Sequence, residues 1–371
     1  MTDATWPGLG DDEIGALGTG PPAMLRTERY RGTGQECGLE RLELRDQETV
    51  RLLYDHLRGI YDVWRRDPTA PDWEAIAIRT LALSESGLMG RVGAMGSGLG
   101  SAGESEVASG ADDPGTEGQE EEAVVQRVLH DLRGGAATAV LAEAELLEPG
   151  LRSALKRGVV GSEGLEAVVL LARDQAKMMR NALVDLDPEE RSRDTVENPH
   201  RIDDLVERWA DVRYRTLDGL VHVRADRDEP GLLSSCCLEF GAVDRITYNL
   251  VNNAARHSPD GQIALQARRA GGASVLIAVT NRVDEEHGRW LTASLREDPG
   301  ALFRWGSTRR GVGAGGGAGL GLGIVAEFVA AAFGVPSVAE ALEGGHLGAT
   351  LLGDRLSVWF HWPAYQPGGG G

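Results

Sequence analysis

Residues 244–258 read Asp244-Arg245-Ile246-Thr247-Tyr248-Asn249-Leu250-Val251-Asn252-Asn253-Ala254-Ala255-Arg256-His257-Ser258. The stretch from Ala242 to Ala255 reads as helix, and Asn249 and Asn253, four apart, then share one face. Taken alone, two amides on a helix also fit a solvated polar face, the less favoured of the two readings. Their meaning depends on their surroundings. Downstream lie Leu302-Phe303-Arg304-Trp305-Gly306-Ser307-Thr308 with Arg309-Arg310, and then the glycine run from Gly313 to Gly323. Glycines at that density let backbone N–H groups approach an anion closely, and a helix beginning near Leu322 points its positive end at it. Flexible linkers share such a composition, but this run leads directly into the amphipathic segment Ile324 to Phe333. Leu220 to Arg224, Gly261 to Arg268 and Leu356 to Trp362 alternate as strands, and Val275 to Val279 is a short apolar strand. The mixture predicts an α+β sandwich, with helices against one face of a mixed sheet.

In this order, these elements resemble the nucleotide-binding boxes of the GHKL ATPase superfamily in its histidine-kinase form. The asparagine box is 244–258, the phenylalanine box 302–308, and the second glycine box 313–325. Val358-Trp359-Phe360-His361-Trp362-Pro363 is similar to the family's closing strand. The resemblance implies a Bergerat-type ATP-binding domain over 200–366, with ATP and Mg²⁺ as cofactors. It implies Asn253 as ligand to the metal that bridges the nucleotide phosphates, with Asn249 beside it. An amide oxygen suits Mg²⁺, a hard cation that accepts few protein ligands. Arg256, His257, Phe303, Ser307, Thr308, Gly319, Leu320, Gly321, Leu322 and Gly323 are the remaining nucleotide contacts it implies. One box departs from the family. Where Asp-x-Gly-x-Gly is usual, the chain has Val279-Thr280-Asn281-Arg282-Val283-Asp284. Asn281 still offers the adenine amino group a carbonyl acceptor, without charge assistance.

Upstream, Val128-Leu129-His130-Asp131-Leu132-Arg133-Gly134-Gly135 resembles the histidine box of a HisKA-like dimerisation and phosphotransfer domain. A neutral imidazole is nucleophilic, and an adjacent carboxylate can orient it or take its proton. The resemblance therefore implies His130 as phosphoacceptor, assisted by Asp131. Gly134 and Gly135 replace the Thr or Asn and the Pro usual after the histidine, so weak phosphatase activity is expected. Two long helical segments, 119–148 and 162–186, bracket this domain, assigned here as 119–190. Their apolar stripe predicts a helical hairpin that pairs with a second copy into a dimeric four-helix bundle.

The N-terminal third divides by composition. Residues 1–36, rich in Gly, Pro, Thr and Asp, read as a flexible arm, and 37–89 as a small helical input or docking module, with Val50, Leu53, Leu57 and Ile60 striping one face of a helix over 47–65 and a second helical segment over 73–89. Residues 90–118 read as a flexible, acidic, glycine-rich linker. Gly is concentrated in such stretches, with 51 in 371 residues, about twice average usage. A formal charge of −19 disfavours nucleic acid as a partner. No run of about 18 apolar residues is present, so a cytoplasmic protein that does not cross a membrane is expected. Cys37, Cys236 and Cys237 read as reduced thiols. The reading is a histidine kinase that autophosphorylates His130 from ATP and passes the phosphoryl group to an aspartate of a separate response regulator. A degenerate GHKL scaffold with little ATP turnover is the alternative, and an anti-sigma-type serine kinase a more distant one.

Overall fold

Val275, Ile277 and Val279 point to one side of the strand Ser274–Arg282, while Leu276 and Ala278 point to the other. In the computed structural model both sides are covered, which explains an apolar run without alternation. The structure describes residues 6–17, 30–34, 36–95, 124–125, 128–129, 132, 162–215, 220–270, 273–304 and 321–365. They fall into two compact units, 35–193 and the pair 1–34 with 194–371.

After a short helix α1 (Asp11–Gly15), the first unit is built on α2 (Leu44–Arg66), α3 (Trp73–Glu85), α4 (Leu88–Ala94) and α5 (Ser162–Ala182). It ends in α6 (Pro188–Asp194). The stripe expected along α2 is fully buried at Val50, Leu53, Leu57 and Ile60. It packs with Val169, Ala172 and Met179 of α5, and with Val125, Val128, Leu129 and Leu132. Asp72 caps α3 by accepting from the Ala75 amide at 3.0 Å. Gly87, with φ +65°, breaks the helical segment expected over 73–89 into α3 and α4. Asp187 gathers the end of the unit, accepting from Tyr54 Oη at 2.6 Å, Arg58 at 2.6 Å and the Glu190 amide at 3.2 Å. Burial opposes its charge, but Tyr54, the Glu190 amide and Arg58 together hold the carboxyl below its usual range.

Two expectations change here. Val92 and Met95 are buried, so 90–95 belong to this core rather than to a linker; residues 96–118 lie outside those described. One core also joins the segments assigned as 37–89 and 119–190. The apolar side of α5 packs against α2 and α3 of the same chain, while most of the other helix of the expected hairpin, 119–148, lies outside the described residues.

The second unit runs β1 (Glu197–Arg201), α7 (Ile202–Trp209), β2 (Arg213–Arg215), β3 (Leu220–Arg227), β4 (Leu232–Cys236) and α8 (Cys237–His257). It continues β5 (Gln262–Ala270), β6 (Ser274–Arg282), α9 (Glu285–Glu297), a 3₁₀ turn at Ala301–Phe303, α10 (Gly321–Phe333), α11 (Val338–Glu343), β7 (Leu347–Leu352) and β8 (Arg355–Pro363). The main sheet has the order β2-β3-β5-β6-β8-β7. Only β3 and β5 run parallel, while β1 and β4 form a separate antiparallel pair. The fold is α+β. Val243, Ile246, Leu250 and Val251 of α8, and Val325, Ala326 and Val329 of α10, close one face over Val223, Ile263, Ile277, Phe360 and Trp362.

The opposite face is closed by residues 6–17, which corrects the expectation of a flexible arm at these positions. Leu9, Ile14 and Leu17 are buried against Leu276, Ala278 and Trp359. Gln266 acts as a strand in miniature, accepting from the Leu9 amide at 2.8 Å and donating to the Leu9 carbonyl at 3.0 Å. Arg355 donates to the Gly8 carbonyl at 3.1 Å and to Glu13, whose carboxyl it holds below the usual range. An aspartate in place of Ile14 would set an unpaired charge on Trp359. We expect Ile14→Asp to raise hydrogen exchange in 6–17 and along β6 and β8, leaving α8 protected. Unchanged exchange in 6–17 would show that the apolar contact does not hold the segment.

Candidate nucleotide site

α8 buries one face against the sheet and turns the other toward α10. Asn249, half-buried, donates from Nδ2 to the carbonyl of Arg245 at 3.1 Å, within its own helix. Its Oδ1 is directed to the start of α10, where a methyl added at Gly321 would lie 3.6 Å from it. The Arg245 guanidinium lies 4.9 Å over the Phe328 ring and so joins the same two helices. Asn253 follows one turn later, also half-buried, and Tyr248 is bonded to Asn252. Gly321, Leu322 and Gly323 form the first turn of α10, a helix of 13 residues whose leading N–H groups carry partial positive charge.

Asn281 ends β6 on the side that faces α8, since it continues the alternation of Ile277 and Val279. It is buried and donates from Nδ2 to the Arg282 carbonyl at 2.7 Å. Asp284 follows as N-cap of α9, accepting from the His287 amide at 2.7 Å. The His257 ring meets that of His287 at 4.7 Å, and Trp290 lies 5.6 Å beyond. Burial pushes His287 below its usual range, against the opposing pull of Asp284. Sequence reasoning named His257 but missed His287. Its signal was the capping pattern Asp284-Glu285-Glu286-His287, which starts a helix where the family pattern had glycines. Arg256 is exposed at the end of α8.

Phe303 is placed otherwise than as a contact: it is buried in the core shared with α10. Ser307, Thr308, Gly319 and Leu320 lie outside the described residues, as do His130 and Asp131. Leu129 and Leu132, on either side of that pair, are buried. The amides of Asn249 and Asn253, together with the N–H groups of α10, suit a phosphate chain carrying a hard cation. Among the described residues no cluster of three or more His, Cys, Asp or Glu could hold a metal by itself. None of the described helices is long and apolar enough to cross a membrane.

No family model matches the chain, and no curated protein matches it. Among solved structures it is similar to the mycobacterial sensor histidine kinase MprB, at 15% identity and TM-score 0.29, over 46% of this chain and 98% of that one. The Acinetobacter baumannii histidine kinase AdeS is similar at 13% identity and TM-score 0.28, over 64% and 98% respectively. The histidine kinase ThkA, solved in complex with the response regulator TrrA, is similar at 11% identity and TM-score 0.21, over 69% and 68%. All three are histidine kinases, but at such TM-scores the functional reading rests on this chain's own residues.

Proposed function

We propose that the chain is an ATP-dependent histidine kinase of two-component signalling, with a Bergerat-type nucleotide site in the unit containing α8 and α10. The approach of Gly321 to Asn249 carries this reading, because it joins two of the boxes noted in the sequence, far apart along the chain, at one point. The N–H groups of α10 would bind the phosphates and Asn281 would accept from the adenine amino group. Mg²⁺, held by Asn253 and the phosphates, would neutralise charge on the transferring group. His130 Nε2 or Nδ1 would attack the γ-phosphorus as neutral imidazole while ADP departs, with Asp131 orienting the ring or taking its proton. An aspartate of a separate response regulator is the proposed final acceptor.

Three outcomes test this. With γ-labelled ATP, the chain should acquire an acid-labile, alkali-stable label that His130→Gln abolishes without loss of ATP binding. Asp131→Asn should slow labelling by roughly 10²-fold. Label persisting in His130→Gln would refute the histidine reading, whereas ATP bound with no label would leave a scaffold.

Titration calorimetry should show Mg²⁺-dependent ATP binding that Asn253→Ala weakens by about 10-fold or more, as expected when a metal site loses a ligand. Asn281→Asp should retain or tighten binding, because it restores a charged acceptor. Lost binding in Asn281→Asp would misplace the adenine.

Because α2 and α3 cover α5 within the chain, light scattering should give one chain mass, 39.6 kDa, at micromolar concentration. Twice that mass would restore the dimeric bundle predicted from the heptad-like stripe.

A further inference from the structure

Cys237 begins α8 and lies far from the asparagine face, twelve residues before Asn249 on the same helix. His200, on β1, brings its Nε2 to 3.4 Å from the Cys237 sulfur. The other ring nitrogen, Nδ1, lies 3.7 Å from Asp204 Oδ2. Phe240, one turn into α8, stacks on the imidazole with ring centroids 4.5 Å apart and planes 20° from parallel. The ring is therefore fixed in the plane that aims one nitrogen at sulfur and the other at a carboxylate. Asn198 Nδ2 lies 3.6 Å from the same sulfur and supplies a second polar hydrogen. Asp204 is itself anchored, since its Oδ2 accepts from the Arg201 amide at 2.7 Å at the start of α7. A nucleophile, a base in reach of it held by ring stacking, and a carboxylate near enough to stabilise the imidazolium form an arrangement that activates thiols. Nothing in the proposed kinase reaction uses it.

We propose that Cys237 is a peroxide-reactive thiol, with His200 as its proton acceptor. In the step, the thiol proton passes to His200 Nε2 and the sulfur attacks one oxygen of a hydroperoxide. The O–O bond breaks, the leaving oxygen takes the proton back from the imidazolium, and Cys237 sulfenic acid and water (or an alcohol) are the products. Sulfur is oxidised and the peroxide oxygen reduced, so no further reagent is needed. The groups in reach of the sulfur, His200 Nε2 and Asn198 Nδ2, suit a small oxidant whose oxygens can accept hydrogen bonds.

The other two cysteines are built differently and serve as internal controls. Burial, then Asp185 and Glu40, push the Cys37 thiol up to about 11. Cys236 is buried, and burial pushes its thiol up as well.

The test uses the full chain, hydrogen peroxide and a sulfenic-acid trap such as dimedone, with the trapped residue assigned by fragment ions in mass spectrometry, because Cys236 and Cys237 share one peptide. Cys237 should be trapped at least about tenfold faster than Cys37 or Cys236. His200→Gln should slow Cys237 by about tenfold or more, the low side of what a positioned base contributes. Added imidazole should restore much of the rate in His200→Ala, a recovery that a merely structural role for the ring would not give. Equal trapping of the three cysteines, or a rate indifferent to His200→Gln in a variant with native circular dichroism, would overturn the proposal.

Discussion

The packing of α8 along β6 is the constraint on which the second unit depends. Ile246, Leu250, Val251 and Ala254 bury one face of that helix against the sheet, which leaves Asn249 and Asn253 on the face that meets α10. The same register sets Asn281 at the end of β6, beneath the helix. Shifting β6 by one residue would exchange its two apolar faces and turn Asn281 away from α8.

The other face of β6 is buried by the chain's own residues 6–17. In a sheet closed by helices on one face only, β6 and β8 would present Leu276, Ala278 and Trp359 to water. Here Leu9, Ile14 and Leu17 cover them, and Gln266 and Arg355 hold the segment's backbone. Residues 35–193 are thus interposed between two parts of one unit along the chain. This chain enters and leaves its helical unit through the same partner unit.

Much of this was legible from local pattern. The period of Val50, Leu53, Leu57 and Ile60 gave α2 nearly to its ends, and the unbroken apolar run 275–279 gave a strand, while the burial of its second face was not foreseen. The asparagine face was legible because a four-residue spacing has one meaning on a helix. What escaped depends on distant contacts. Residues 6–17 hold Trp6, Leu9, Ile14 and Leu17 among Gly, Asp and Glu, and the sheet partners of the last three lie more than 250 positions away. Nothing local separates such a segment from a disordered one. The helical segment that became α5 was seen, but an apolar face does not name its partner, and α2 and α3 are what pack against it within the chain. The ring pair of His257 and His287, and the approach of His200 to Cys237, likewise arise from elements brought together only by the fold.

The central claim is that the start of α10 and the asparagine face of α8 form one nucleotide site. The most direct measurement is a crystal structure with Mg²⁺ and a non-hydrolysable ATP analogue. The account predicts phosphate oxygens on the N–H groups at Gly321 to Gly323, the metal on Asn253 Oδ1, and the adenine amino group on Asn281. A nucleotide bound elsewhere, with Asn249 and Asn253 untouched, would contradict it.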